Sequence, residues 1–238
     1  ALVKEIFRDI ENAADELGID ICGGHTEITK GLDRPIVSGH MLGEVDKDKL
    51  VTNSHARVGD EIILTKGIAI EGMALLARER EKELSGKYGK MFVERVQAFL
   101  HDPGISVVAE AHLANQTANI HAMHDPTEGG LATGLYELTR ASNTGVVIYE
   151  DKIHLLDETR ILCSEYKLDP LGVIASGALL IVVDPGDRDA VLSKLVQNDI
   201  TCSVIGKLTD KEDGLKIIAD GEERELPFFE VDEIARVI

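Results

Sequence analysis

The stretch His124-Asp125-Pro126-Thr127-Glu128-Gly129-Gly130-Leu131 decides how this chain reads. Before it runs Asn119-Ile120-His121-Ala122-Met123, which has the length and apolar content of a strand. After it, Leu131, Leu135 and Leu138 recur at helical spacing and predict an amphipathic helix ending near Ser142. A carboxylate and a hydroxyl therefore stand at a strand end, ahead of a glycine pair and a helix N-terminus. Unpaired backbone N–H groups and the positive end of the helix dipole favour a phosphate there, and Asp125 can hold a divalent cation against it. The same residues also fit a plain helix cap, with Asp125 or Thr127 accepting from the first turn and Gly129 and Gly130 easing the bend.

Downstream, Val146–Tyr149 and Leu179–Val183 are strand-length apolar runs, and 202–205 and 215–219 add two more. Helices are expected over 157–166 and 187–198. Upstream, Gly59-Asp60 leads into the apolar run Glu61–Thr65. Lys66-Gly67-Ile68-Ala69-Ile70-Glu71-Gly72 links that run to a helix over 73–84. Strand, glycine loop, helix is again a phosphate-friendly order, in which Lys66 either neutralises phosphate charge or is a surface lysine; the Walker pattern is absent. Two further helices are expected over 92–100 and 105–115. Strands alternating with helices predict an α/β or α+β layered domain with a mixed sheet.

Leu2, Ile6, Ile10, Ala13, Ala14 and Leu17 mark an amphipathic helix ended by Gly18. It is already running at the first residue, so the chain is expected to be a piece of a longer protein. Strands are expected at Ile19–Cys22 and 36–45, separated by Gly23-Gly24-His25-Thr26-Glu27. The paired glycines let backbone approach a ligand or turn sharply. His25, Thr26 and Glu27 are either ligand contacts or plain loop residues.

Composition narrows the partners. The 238 residues carry a formal charge of −18, which argues against nucleic acid or an anionic membrane surface. An acidic chain still binds polyphosphate when divalent cations bridge the two anions. No apolar run approaches the roughly 18–20 residues of a membrane span. Cys22, Cys163 and Cys202 form no C-x-x-C pair and fit reduced thiols of a cytoplasmic protein. His121 and His124 are three apart on a strand and point to opposite faces, which weakens any zinc reading. No G-x-S-x-G elbow suggests a serine hydrolase.

Taken in order, these motifs resemble the aminoimidazole ribonucleotide (AIR) synthase, or PurM-like, superfamily. That group includes the hydrogenase-maturation dehydratase HypE, thiamine-monophosphate kinase, selenophosphate synthetase and formylglycinamidine ribonucleotide synthase. The resemblance rests on Gly23-Gly24-His25-Thr26, the segment 36–45, Val58-Gly59-Asp60, the run Asp125–Gly130, and Ser176-Gly177-Ala178-Leu179-Leu180. It implies a boundary near residue 51. Residues 1–51 would be the tail of the ATP-binding, dimerising N-terminal domain, and 52–238 the C-terminal α/β domain with its mixed sheet and flanking helices.

It further implies ATP and magnesium as cofactors and a homodimer in the cytoplasm. Asp125 and His25 would stand on the metal side, with Gly23, Gly24, Thr26, Lys66, Thr127, Gly129 and Gly130 around the nucleotide. The implied chemistry is phosphoryl transfer to a carbonyl or amide oxygen of a small-molecule or protein-bound acyl or carbamoyl substrate. The glycine-rich segment and magnesium-binding aspartates that precede these motifs in the family are not in this sequence. The hydrogenase factor's Pro-Arg-x-Cys tail is replaced by Ile234-Ala235-Arg236-Val237-Ile238. A paralogue of unassigned substrate is therefore expected, the alternative being a non-catalytic assembly or regulatory protein that keeps the fold.

Overall fold

The computed structural model describes residues 2–238. The chain divides into two compact units, Ala1–Glu44 and Val45–Ile238.

In the first unit, helix α1 (Leu2–Leu17) stops at Gly18, whose φ of 65° reverses the chain. The Ile19 N–H reaches back to the Ala14 carbonyl at 3.0 Å, closing a Schellman-type end. The expected strands at 19–22 and 36–45 are not formed; the segment is extended without ladder pairing. A β run becomes a strand only when a neighbour accepts its hydrogen bonds, and this unit offers none. Ile36, Val37, Met41 and Leu42 are accordingly exposed.

The second unit is built on seven strands: β1 (Glu61–Thr65), β2 (Ile120–His124), β3 (Gly145–Tyr149), β4 (Leu180–Val183), β5 (Cys202–Thr209), β6 (Leu215–Ala219) and β7 (Glu222–Glu225). They lie in the order β2-β4-β1-β5-β3-β6-β7. Every pairing is antiparallel except β3 with β6. It follows that β1, β2, β3 and β6 all run the same way, and their carboxyl ends open on one edge of the sheet.

Period-two alternation sorts the side chains to two faces. Ile62, Leu64, Ala122, Val146, Ile148, Leu180 and Val182 face helix α6 (Gly130–Ser142). Its Leu131, Leu135 and Leu138 are fully buried there, each contributing about 1.5–3 kcal/mol. On the other face Ile63, Ile181 and Val183 pack with Ala114 of α5 (Val108–Thr117) and with Val191 and Leu195 of α8 (Arg188–Val196).

A third cluster joins α2 (Ile70–Glu79), α3 (Glu81–Tyr88), α4 (Lys90–Gln97) and α7 (Asp157–Tyr166). The single helix expected over 73–84 is thus two, broken at Arg80. The Arg80 guanidinium is occupied by the Val237 carbonyl, accepting at 3.1 and 2.6 Å. Strand β7, Glu222-Glu223-Arg224-Glu225, is exposed along its whole length and was not anticipated. It has no apolar face for a periodicity to reveal.

Candidate functional site

Four loops follow the co-directed strands at the sheet edge, and the one after β2 carries the decisive motif. Asp125 is exposed, Pro126 is buried beneath it, and Thr127 and Glu128 are exposed. Gly129 (φ 74°) and Gly130 (φ 67°) then turn the chain into α6. Both positions need glycine for space as well as for φ. A Cβ on Gly129 would stand 2.2 Å from Thr133 Oγ1, and one on Gly130 would stand 2.5 Å from the Leu171 carbonyl oxygen.

The glycine pair makes the expected turn, but the expected cap by Asp125 or Thr127 is not formed. No side chain of the motif caps the helix. The Gly129 N–H instead donates to Asp232 Oδ2 at 2.7 Å, from 103 residues downstream. Oδ1 of the same carboxylate accepts from the Ile174 and Ile234 N–H groups at 3.2 and 2.9 Å. The Ala175 N–H reaches the Thr127 carbonyl at 3.3 Å. The expected open helix terminus is therefore closed by segment 171–175 and by an internal carboxylate. A carboxylate suits the helix dipole as a phosphate would.

What stays open is the outer face of the loop. Removal of surrounding water raises the Asp125 carboxyl above its ordinary value; His124 and Lys66 pull it back, and Glu71 and Glu110 push it further up. His124 beside it is held from both sides. Its Nδ1 lies 3.0 Å from Asn53 Nδ2, and its Nε2 lies 2.9 Å from Glu137 Oε2. His121, on the opposite face as its spacing requires, sits 2.8 Å from the buried Asp60 carboxylate.

Lys66 is not an exposed phosphate contact. Its side chain is 8% exposed, and its ammonium meets Glu110 Oε1 at 2.9 Å and the Gly104 and Ser106 carbonyls at 3.0 and 2.6 Å. Three donors meet three acceptors, so the group is a buried cross-link. Its φ of 55°, with 61° at Ala69, marks a strained turn at the same sheet edge. A depression of about 320 Å³, lined by no residue of the motif, has Ile68, Ile153 and Leu171 on its wall and Glu150, Asp151, Arg160 and Asp220 among its polar groups.

Gly23, Gly24, His25 and Thr26 belong to the first unit, where they lie on an exposed segment without regular structure. His25 Nε2 is 3.8 Å from Glu27 Oε2, both side chains being largely exposed. Within the second unit, Asp125 and Thr127 are both exposed, and Gly129 and Gly130 are buried behind them.

Among the described residues no group of three or more His, Cys, Asp or Glu side chains is arranged to hold an ion. Asp125 would therefore be a single protein carboxylate to a magnesium ion, whose other ligands would have to be phosphate oxygens and water. Asn53, Glu137 and Asp232 were missed in the sequence. Asp232 carries a local signal, since it caps the turn Glu233–Arg236 that follows it, but nothing local announces its reach to Gly129.

An exposed carboxylate and hydroxyl thus follow β2 at the edge where β1, β2, β3 and β6 end, on a mixed sheet flanked by helices. The chain belongs to the AIR synthase related protein family, whose C-terminal domain matches residues 57–218. It is 30% identical over 219 residues to a hydrogenase expression/formation protein of Methanocaldococcus jannaschii, covering 90% of this chain and 62% of that one. It is also 30% identical over 196 residues to the carbamoyl dehydratase HypE of Cupriavidus necator, covering 81% of this chain and 52% of that one. A crystal structure of the hydrogenase maturation protein HypE in complex with ATP superimposes with a TM-score of 0.62 at 23% identity, over 81% of this chain and 57% of that one. The chain spans about half to three-fifths of the length of the curated relatives it matches.

Proposed function

We propose that the full-length protein uses ATP and magnesium to activate a carbonyl or amide oxygen by phosphoryl transfer, on an acyl or carbamoyl substrate of the kind hydrogenase maturation handles. The observation that carries this reading is Asp125, open at the sheet edge within the family-matched domain. Relatives at 30% identity named for carbamoyl dehydration and hydrogenase formation support it, as does the ATP complex of a protein with this fold. In this reading residues 1–51 are the end of a nucleotide-binding, dimerising domain and 52–238 the partner domain, in a cytoplasmic homodimer.

The substrate oxygen attacks the γ-phosphorus, its new P–O bond forming as the bond to ADP breaks. Magnesium, when bound, neutralises charge on the phosphates. Asp125 holds that charge in place, and the Thr127 hydroxyl offers a hydrogen bond to a phosphate oxygen. His25, Gly23, Gly24 and Thr26 are assigned to the nucleotide side on family resemblance.

A non-catalytic assembly or regulatory role is the second reading. Two observations favour it: the Gly129 donor is taken by Asp232, and the Lys66 ammonium is spent on Glu110. Magnesium-dependent phosphate release from ATP by the full-length protein separates the two. Release that depends on Asp125 is expected; none from the wild type would leave the assembly role standing.

A further inference from the structure

We propose that Asp232 is a positioning residue: from the carboxyl-terminal segment it fixes the inner face of the 125–130 loop, and so sets where Asp125 and Thr127 stand. The inference rests on the reading of Asp125 given above and names the residue that orients it.

One carboxylate gathers three backbone N–H groups, from Gly129, Ile174 and its own turn at Ile234. Bonds from N–H to an ionised carboxylate are stronger than neutral ones, and three on one group define its position closely. The loop has two faces. Inward, the Gly129 N–H goes to Asp232, and the Thr127 carbonyl accepts from Gly130 and Ala175 at 2.9 and 3.3 Å. Outward, Asp125 and Thr127 meet solvent. Of these inner-face hydrogen bonds, the one made by a side chain is that of Asp232, while His124 at the start of the loop is held separately by Asn53 and Glu137.

The segment bearing Asp232 is itself anchored along its length. Leu226 is buried, and Phe229 lies where a Cβ on Gly172 would stand, 2.5 Å from its ring. The Asp169 N–H donates to Glu233 at 2.9 Å, Ile234 is buried with the helical cluster, and Arg80 clamps Val237. The Asp232 carboxylate therefore ties the 125–130 loop to a carboxyl-terminal segment that has several other anchors of its own.

The test uses the full-length protein with Asp232→Asn, which keeps the shape but loses the charge and half the acceptor capacity. Arg80→Ala is the control, since it loosens the same segment without touching the loop. Amide hydrogen exchange without ligand is expected to speed up at 127–130 and 173–175 in Asp232→Asn, with β3 and β5 unchanged. In magnesium-dependent ATP turnover kcat is expected to fall roughly 10- to 100-fold, the penalty of a group displaced by about an ångström. KM for ATP should stay within about twofold of wild type, whereas a merely structural loss would scale turnover only with the folded fraction.

Arg80→Ala should keep most of its kcat. Unchanged exchange at 127–130 in Asp232→Asn would overturn the proposal, and so would an equal kcat loss in Arg80→Ala. A wild-type protein without turnover would defeat the phosphoryl-transfer reading, and the exchange result alone would then decide whether Asp232 sets the loop.

Discussion

Asp125 is where the proposed function can be tested apart from stability, because it is exposed and makes no side-chain hydrogen bond among the described residues. Its carboxyl is raised in the folded state, so the folded chain holds its proton to higher pH than the unfolded one. In the window from the ordinary 3.8 upward, the native state binds more protons, and stability from this group falls as pH rises. Asp125→Asn removes that penalty. Its melting temperature should therefore stay level or rise slightly, while magnesium-dependent turnover drops by orders of magnitude; paired melting and turnover measurements check this. Cys163 makes a contrasting prediction. Burial, with Asp169 and Glu233 adding to it, pushes its thiol up to about 12. In the native protein near pH 8 it should resist a disulfide reagent and react only as fast as the chain unfolds. Lys66 shows where sequence reading stops at this scale. A lysine after a strand looks like a surface or phosphate-facing cation, and only the fold brings Glu110, forty-four residues on, against it.

At the scale of elements, α6 was legible because three buried leucines repeat on one face. Its entry was not legible, since the group that satisfies Gly129 arrives from the far end of the chain. Gly130→Ala tests that entry. A Cβ there would press on the Leu171 and Val173 backbones at 2.5 to 2.9 Å, with φ at 67°. A loss of about 2–4 kcal/mol is expected in denaturant unfolding, well beyond the usual glycine-to-alanine effect. The carboxyl-terminal segment should also come loose in acid. Burial works to raise the Glu233 carboxyl, but the Arg236 hydrogen bond and the Asp169 N–H outweigh it and leave it below its ordinary value. A depressed carboxyl stabilises the fold above its unfolded value of 4.5 and loses that contribution as pH falls through the folded one. Glu233→Gln should flatten this acid limb in a melting series from pH 6 to pH 3.

For the whole molecule, the alternation of strands and helices was enough to anticipate a mixed α/β domain, because each core strand has an apolar face to read. Long-range pairing was not, and the order β2-β4-β1-β5-β3-β6-β7 has no trace in any local pattern. The expected strands of the first unit failed for the related reason that pairing belongs to neighbours as well as to sequence. This architecture carries its own binding prediction. If, as proposed, residues 1–51 end a nucleotide-binding domain, calorimetry should find magnesium-ATP bound more weakly by the 238-residue chain than by the full-length protein; equal affinity would show that these residues alone make the nucleotide site.

The outermost strand has a further consequence. β7 pairs only with β6 and turns a row of three glutamates and one arginine outward. Two copies meeting along that rim would set like charges opposite one another, which discourages the edge-to-edge growth that bare strands invite. Protection of this edge against strand addition therefore resides in residues that bury nothing. Neutralising Glu222 and Glu223 would leave the melting curve almost unmoved while shortening the shelf life of a concentrated solution.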